Sequence, residues 1–298
     1  MTGSFAIDDT PLVRLPARDA DSHKGTFGRV VLVGGSAPMA GAISLSGMAA
    51  LRGGAGLVQL IVPAACQSTV AGFEPSYMTL GLASDAEGRF ADTAREAIAA
   101  ALDDAAVVAC GPGLGRSPAL TEQVTWLYTE FPRAAVFDAD GLNALAERAA
   151  KREGAGLLSQ AGGPRVLTPH PGEFARLTGR PAPKGDRRAA ACRELAAQCG
   201  VTVLLKGHAT CISDGERAAV NLTGNAGMAT GGTGDVLTGL VAALLSQGLA
   251  PYDAARTGAH VHGLAGDLVA ERKGLISLVA SDLVAALPDA IRAFQQSG

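Results

Sequence analysis

The segment RVVLVGGSAPMAGAISLSGMAALRGGAGLVQLIVP, residues 29–63, contains the alternation on which the fold prediction depends. An apolar, β-branched run at 29–35 ends in two glycines, and the small-residue segment 41–54, predicted to be a helix, follows it. A second apolar run, LVQLIVP, begins at residue 57. Apolar strands that alternate with helices are typical of a parallel sheet buried on both faces. This segment therefore predicts an α/β fold.

The same alternation continues along the chain. Three more apolar runs each lead into a predicted helix: AVVACGPG (106–113), AAVFDADG (134–141) and PRVLTPHPG (164–172). Short β runs with turn signals between 201 and 222 predict an antiparallel hairpin at one edge of the sheet. Two helices follow, one from Thr233 to Gly248 and one from Pro251 to about residue 272. We predict one three-layer αβα sandwich, a single domain over 1–298, with KREGAGLLSQAGG (151–163) as a surface loop.

Composition and charge exclude several classes of partner. The formal net charge is −3, and no run of Lys or Arg offers a local attraction for nucleic acid or an anionic membrane. The N-terminus lacks a basic start followed by an apolar run, and no stretch of 18 apolar residues occurs, so we expect a cytoplasmic protein. The five cysteines contain no CxxC pair, which favours buried thiols over disulfides or zinc.

The most informative segment is NAGMATGGTGDVLTGLVAALLSQG, residues 225–248, in which glycines lead into a predicted helix. Backbone N–H groups at a helix N-terminus, left uncovered by Gly231, Gly232 and Gly234, can surround a phosphate. Asp235 follows directly, and a carboxylate there could take a proton from an attacking hydroxyl. The segment predicts a site for phosphoryl transfer, with Asp235 as general base.

Other interpretations of these glycines were weighed. The helix start could simply be capped by Thr233 or Asp235. It is not a Walker A loop, because no GK[ST] follows this segment or GGSAPMAG. GPGLG (111–115) matches half of a dinucleotide fingerprint and follows a strand, where ligands of open α/β sheets collect, although such a sequence is often a turn without a ligand.

TPHPGE, residues 168–173, holds His170 between two prolines that fix an extended backbone, so we predict contact between His170 and substrate rather than a structural role. Glu173 could hold Mg²⁺ directly or through water, and the alternative is a first-turn glutamate favoured by the helix dipole. His260 and His262 lie in a helix of small residues and are predicted to be structural.

KGHAT, residues 206–210, begins where an apolar strand stops. Lys206 could neutralise a nucleotide phosphate, and Gly207 would let the backbone approach the ligand. A plain hairpin turn is the alternative, but the segment lies in sequence between the other candidate ligand motifs. We therefore predict nucleotide binding there.

Six segments in this order resemble the ADP-dependent NAD(P)H-hydrate dehydratases of the ribokinase-like superfamily: GGSAPMAGAISLSGMAALRGGAGLV, ACGPGLG, DADGLNAL, LTPHPGEFARL, LLKGHAT and NAGMATGGTGDVLTG. The resemblance spans roughly residues 24–272. It implies the ribokinase-like fold and the repair of hydrated NADH or NADPH, in the S epimer, to NAD(P)H. ADP would be the co-substrate, giving AMP and phosphate, and Mg²⁺ would be the cofactor.

The resemblance also implies roles for individual residues. The catalytic residues would be Asp235, Gly232 and Gly234. The hydrate would contact Ala42, Gly113, Gly115, His170 and Asp235. The nucleotide would contact Lys206, Gly207, His208, Ala209, Thr210, Asn225, Gly231 and Gly234. Glu173 would hold the metal ion. In ribokinase relatives an Asn occupies the PNxxE motif that matches 169–173; the replacement by His170 favours the dehydratases over a sugar kinase.

Two other functions stay open at this point: a small-molecule kinase of the hydroxyethylthiazole kinase type, and a nucleotide-binding regulator without activity. The family suggests a homotetramer. Many relatives carry an N-terminal epimerase domain, and only about two dozen residues precede the match here. We therefore expect a separate NAD(P)H-hydrate epimerase to work with this chain.

Overall fold

One mixed sheet runs through the part of the chain that the computed structural model describes, residues 6–151 and 156–296. Its strands are β1 (Arg29–Val33), β2 (Leu57–Pro63), β3 (Met78–Leu82), β4 (Val107–Cys110), β5 (Ala134–Phe137), β6 (Arg165–Leu167), β7 (Thr202–Leu205), β8 (Thr210–Ser213) and β9 (Ala218–Asn221). The spatial order is β3-β2-β1-β4-β5-β6-β7-β8-β9. Strands β1 to β7 are parallel, and β8 and β9 add an antiparallel edge, as predicted.

Helices cover both faces of this sheet. They are α1 (Ala40–Arg52), α2 (Ala64–Ala71), α3 (Arg95–Ala101), α4 (Pro118–Glu130), α5 (Ala139–Lys151), α6 (Pro171–Thr178), α7 (Arg187–Cys199), α8 (Thr233–Ser246), α9 (Pro251–Lys273) and α10 (Ala280–Gln296). One core lies between the sheet and α1, α2, α8, α9 and α10, and the other lies between the sheet and α3 to α7. The predicted three-layer αβα sandwich is confirmed.

Strand β1 shows why the sheet is buried on both faces. Val30 and Leu32 contribute to one core, whereas Val31 and Val33 contribute to the other. Successive side chains of a strand point to opposite faces, so a strand with no polar position needs cover on both. Strand β1 lies between β2 and β4, and this central position explains its uninterrupted apolar run.

The structure contains three elements beyond the predicted ones and buries part of one predicted surface loop. The additional elements are strand β3 and helices α3 and α10. Of the predicted surface loop at 151–163, residues 152–155 lie outside the described residues, and Leu157 and Leu158 are buried. The loop prediction is wrong for these two leucines because they pack into the core beneath α4, where the Tyr128 hydroxyl donates to the Leu158 carbonyl oxygen.

The five cysteine side chains are buried free thiols, as predicted. No described helix combines the length and the apolarity that crossing a bilayer would require.

The carboxyl ends of the parallel strands bring the predicted motifs to one edge of the sheet. GGSAP follows β1, GPGLG follows β4, DADG follows β5, TPHPGE follows β6 and KGHAT follows β7. Ligands of open α/β sheets bind at this edge, because the loops there converge while the strands stay rigid. The described fold therefore gathers five sequence motifs around one surface.

Helices α1 and α8 approach each other closely, and this contact fixes the start of α8 at the same edge. A Cβ atom on Gly239 would overlap the Ser46 carbonyl oxygen and lie 2.7 Å from its carbonyl carbon. One turn earlier in α8, the Ser46 hydroxyl donates to the Asp235 carbonyl oxygen at 2.7 Å. The missing side chain at 239 lets the backbones meet, and the hydrogen bond then sets the position of Asp235.

We expect Gly239→Ala to lower the free energy of unfolding by about 2–3 kcal/mol, because the new methyl meets backbone atoms that cannot yield. Gly41→Ala in α1 is the matched control, since a Cβ atom there meets nothing within 4 Å. This control should be neutral or stabilising by up to about 1 kcal/mol. Urea unfolding measures both, and equal midpoints for the two variants would contradict the close α1–α8 contact.

Candidate active site

Two adjoining cavities open at the carboxyl edge of the sheet, each of about 480 Å³. The hairpin cavity is lined mainly by 206–210, 221–226 and residues of α9. The helix-end cavity is lined by Asp138, His170, Glu173 and 228–235. The two share Lys206 and Gly234 among their lining residues, so they lie side by side at the start of α8.

The N-terminus of α8 has no side-chain cap among the described residues. Gly232 is the N-cap residue, with φ +90°, and the Thr233 hydroxyl donates instead to the carbonyl oxygens of Met228 and Thr230. Capping by Thr233 or Asp235, the alternative interpretation, is therefore not what the contacts show. The first amides of α8 face the helix-end cavity with the positive end of the helix dipole.

The three glycines at 231, 232 and 234 have different structural roles. A Cβ atom on Gly231 would meet nothing within 4 Å, so this exposed residue leaves its backbone open. Gly232 adopts a left-handed conformation and packs against Leu45, which leaves no room for a side chain. A Cβ atom on Gly234 would lie 3.1 Å from the Lys206 Nζ atom. Of the three, only Gly231 leaves its backbone exposed. Gly232 permits the turn before α8, and Gly234 permits the close approach of Lys206.

Asp235 lies in the first turn of α8 with an unusual proton affinity. Burial, together with the charges of Asp138 and Asp140, raises the pKa of its carboxyl to about 7, although the charge of Lys206 opposes this shift. A carboxyl that titrates near neutral pH can both hold and release a proton under physiological conditions. The predicted general base is thus electrostatically suited to that role.

A buried ion pair faces Asp235. The Lys206 Nζ atom lies 2.6 Å from Oδ1 of Asp138, which is 1% exposed, and 3.9 Å from Oε2 of Glu173. The Thr238 hydroxyl donates to Asp138 Oδ2 at 2.7 Å. Burial disfavours the ammonium, but the charges of Asp138 and Glu173 outweigh it and raise the pKa of Lys206. Lys206 therefore stays protonated beside the first turn of α8.

Asp138 belongs to the DADG motif but is not among the residues that the sequence predicts to be functional. Its position directly after the buried strand β5 is the signal that could have identified it, because that position lies at the carboxyl edge. The next residue, Ala139, has φ +48°, and Ala209 in KGHAT has φ +55°. Non-glycine residues in this region are strained, and such strain tends to occur at functional sites.

His170 and Glu173 form a reciprocal cap at the start of α6. His170 Nδ1 accepts from the amides of Gly172 and Glu173, and Glu173 Oε2 accepts from the His170 amide at 2.8 Å. Glu173 Oε1 lies 3.2 Å from His170 Nε2. Burial raises the pKa of Glu173, and burial together with Lys206 lowers the pKa of His170. Both residues therefore have a structural role, because they cap α6. Both also line the helix-end cavity.

The residues predicted to bind the hydrate do not all meet. Ala42, Gly113 and Gly115 lie outside the lining of both cavities. Ala42 and Gly113 pack together, since a Cβ atom on Gly113 would lie 3.0 Å from that of Ala42. The Gly115 amide donates to Asp140 Oδ2 at 2.9 Å. Asp140 thereby links this glycine loop to the electrostatic surroundings of Asp235.

The residues predicted to bind the nucleotide do gather. The hairpin cavity is lined by Lys206, Gly207, His208, Ala209, Thr210, Asn225 and Gly234, and Gly231 lines the helix-end cavity. His262 also lines the hairpin cavity, with its Nε2 atom 2.9 Å from the Thr233 carbonyl oxygen. Burial lowers the pKa of His262 to about 4, so its ring is neutral. His260 instead packs its ring against Phe294.

Sequence comparisons connect this site to known proteins. The family model for NAD(P)H-hydrate dehydratase matches residues 30–289. The chain is 43% identical over 286 residues to a bifunctional NAD(P)H-hydrate repair enzyme of Moorella thermoacetica, which covers 95% of this chain and 53% of that protein. It is 39% identical over 275 residues to an ADP-dependent (S)-NAD(P)H-hydrate dehydratase of Neisseria meningitidis, covering 91% and 87% of the two. The chain thus spans about half the length of most curated relatives it matches.

Solved structures are similar along nearly the whole chain. An ADP/ATP-dependent NAD(P)H-hydrate dehydratase from Bacillus subtilis, co-crystallised with ATP/Mg²⁺, has a TM-score of 0.78 at 32% identity, covering 94% of this chain and 95% of that one. A ribokinase-like superfamily protein from Enterococcus faecalis has a TM-score of 0.78 at 28% identity, covering 95% and 93%. A hydroxyethylthiazole kinase from Pyrococcus horikoshii has a TM-score of 0.60 at 16% identity, covering 91% and 89%, and shares the fold alone. The expected ribokinase-like fold is confirmed.

We expect Asp235→Asn to stabilise the folded protein at pH 8 and to change its stability little at pH 4. The Asp235 carboxyl has an ordinary pKa of 3.8 and a folded pKa of about 7. Between these values the folded protein binds the proton that the unfolded chain releases, so the buried group lowers stability as pH rises from about 4 to 7. Removing that charge should raise the free energy of unfolding at pH 8 by about 1–3 kcal/mol.

Urea unfolding at the two pH values measures this difference, with Asp9→Asn on the exposed N-terminal segment as control. A variant that is less stable than the parent at pH 8 would show that Asp235 is not penalised by burial.

Proposed function

This chain belongs to the NAD(P)H-hydrate dehydratase family, and we propose that it converts the S epimer of hydrated NADH or NADPH back to NAD(P)H at the expense of ADP. The products would be the reduced nucleotide, AMP and phosphate. One observation carries the proposal: the uncapped start of α8 faces an open cavity with Asp235 in its first turn. An anion-binding helix end beside a carboxyl of pKa about 7 suits the transfer of a phosphoryl group to a hydroxyl.

The two cavities suggest how ADP would lie. The nucleoside part would occupy the hairpin cavity, against residues 206–210. Its phosphates would then reach the amides around Gly231 and Gly234, where the dipole of α8 and the Lys206 ammonium both favour negative charge. Lys206 is held by Asp138, so it would act as a fixed charge beside the phosphates and not as a mobile side chain.

The hydrate would approach Asp235 from the helix-end cavity, with His170 on its wall. Asp235 would take the proton from the ring hydroxyl as the oxygen attacks the terminal phosphorus of ADP, and AMP would leave. The hydroxyl becomes a phosphate ester, a far better leaving group. The electron pair of the ring nitrogen would then expel phosphate, and loss of a ring proton would restore the double bond. Preorganised amides stabilise the charge on the phosphoryl group during transfer.

The side chains of this site are poorly suited to direct metal ligation. Among the described residues, no group of three His, Cys, Asp or Glu side chains could hold a metal ion. Both oxygens of Glu173 already contact His170, and both oxygens of Asp138 contact Lys206 or Thr238. Mg²⁺ would therefore accompany the nucleotide, with Glu173 contacting it through water, and no step above depends on it.

The setting of the reaction is also a proposal. We infer a cytoplasmic homotetramer that works together with an NAD(P)H-hydrate epimerase activity, which would supply the S epimer. Relatives named as bifunctional repair enzymes, about twice as long as the matched region, support a link between the two activities. The hydroxyethylthiazole kinase alternative is supported by shared fold alone, at 16% identity.

Incubation with hydrated NADH and ADP should restore the absorbance of the reduced nicotinamide and release AMP and phosphate in equal amounts. ATP tested side by side measures the nucleotide preference. A phosphorylated product that persists would indicate a kinase, and ADP binding without any turnover would indicate a regulator.

Asp235→Asn should lower kcat/KM for the hydrate by about 10²–10⁴-fold while the Kd for ADP changes little, because the amide cannot accept the proton. In the parent, kcat/KM should rise with pH up to about 7 and then level off, since the base must be ionised. Steady-state kinetics from pH 5 to 9 and calorimetric ADP titration measure both effects, with Asp9→Asn as control. Unchanged turnover in the Asn variant would refute the role of Asp235.

A further inference from the structure

The loop that leads into the start of α8, residues 223–228, lies along one face of α9. The Thr223 hydroxyl donates to the His260 carbonyl oxygen at 2.9 Å. A Cβ atom on Gly263 would overlap the backbone of Thr223, and one on Gly266 would lie 2.7 Å from Met228 Cγ. Small residues on α9 therefore allow the loop to lie directly on the helix surface.

Asp267 of α9 anchors this loop with both carboxylate oxygens. Oδ2 accepts from the Gly224 amide at 2.9 Å, and Oδ1 accepts from the Asn225 side-chain amide at 2.9 Å. The other side of the Asn225 amide, Oδ1, accepts from the Gly227 amide at 3.0 Å. Hydrogen bonds to an ionised acceptor are about twice as strong as neutral ones. One carboxylate thus holds Gly224 and Asn225 by direct hydrogen bonds and Gly227 by a bond relayed through the Asn225 side chain.

The anchored loop has a defined place in the site. Residues 221–226 form a wall of the hairpin cavity, and the chain continues from there into the glycines that precede α8. Both polar atoms of the Asn225 side chain, Nδ2 and Oδ1, make hydrogen bonds within the protein. Asn225 was predicted to bind the nucleotide, and these contacts suit a residue that shapes the cavity wall.

We propose that Asp267 is a positioning residue for the nucleotide, which holds the cavity wall in its binding shape through Asn225 before ADP arrives. The inference rests on the proposed function, because it assigns the hairpin cavity to ADP. Preorganisation of a loop reduces the ordering cost of binding, so it acts on affinity. Asp267 itself lies outside the lining of both cavities and acts through the loop.

Asp267→Asn keeps the shape of the side chain but replaces one acceptor oxygen with an NH₂ group. That group would face one of the two donors, the Gly224 amide or the Asn225 side-chain amide. The Kd and KM for ADP should rise about tenfold, while kcat at saturating ADP stays within about threefold, because the reacting groups are not moved. Asn225→Asp alone should have a similar effect, since it brings two carboxylates together. A role in stability alone would lower the unfolding temperature without this split between KM and kcat.

The double variant Asn225→Asp with Asp267→Asn is the sharpest test. It exchanges donor and acceptor: the new carboxylate at 225 accepts from the new amide at 267 and from Gly227, and the new amide oxygen accepts from Gly224. The charge of the pair is unchanged, so the fold and the Kd for ADP should recover to within about threefold of the parent. Asp289→Asn in α10 is the matched control, because it also removes a half-buried, partnered carboxylate, which pairs with Arg272 and Arg292 and lies outside the lining of both cavities.

Calorimetry with ADP, thermal unfolding and steady-state kinetics are measured on the same preparations. An unchanged Kd in the single Asp267 variant overturns the proposal, and so does a folded double variant that fails to recover ADP affinity. Failure of the proposed function is separate, because it would appear in the parent protein as absent hydrate repair. ADP binding by the parent still tests the role of Asp267 in that case.

Discussion

The buried ion pair between Lys206 and Asp138 is the interaction on which the site depends. It joins the ends of β5 and β7, and Thr238 extends it into α8, so three elements distant in sequence meet at one pair of charges. Removing Lys206 would leave the Asp138 carboxylate, which is 1% exposed, without its cation, and this is strongly unfavourable. The pair also shapes its surroundings: the negative charge of Asp138 adds to burial in raising the pKa of Asp235, and the ammonium stands beside the bare first turn of α8.

Next to this ion pair, α8 begins without the side-chain cap that usually stabilises the N-terminus of a helix. The amides of α8 have no side-chain acceptor among the described residues, and the Asp235 carboxyl titrates near neutral pH. Both features cost stability. They are held by contacts from the neighbouring helices: α1 contributes the Ser46 hydrogen bond, and α9 contributes Asp267 and the His262 ring. The rigid outer helices therefore offset the instability of the polar centre, as expected for a preorganised anion site.

Motifs with a local mechanism could be predicted from the sequence. Glycines before an apolar periodic segment predicted the start of α8, and Asp235 follows from that start because it lies in the first turn. TPHPGE predicted a strand end followed by a helix, but its two side chains also cap that helix, so a ligand role and a structural role could not be separated from the sequence. Ala42 and Gly113 were placed in the hydrate site by resemblance, and the described cavities do not reach them.

The sequence by itself determined the αβα layers, the antiparallel edge and the position of the glycine-rich start of α8, because apolar periodicity and glycine conformation act over a few neighbouring residues. The tertiary structure alone decided which charges meet. Lys206 and Asp138 are 68 residues apart, and Asp267 lies 42 residues from Asn225. Leu157 and Leu158 are buried because they join a core that distant elements, α4 among them, also line. Burial, pKa and ion pairing arise from contacts between distant segments, and no local pattern of residues encodes those contacts.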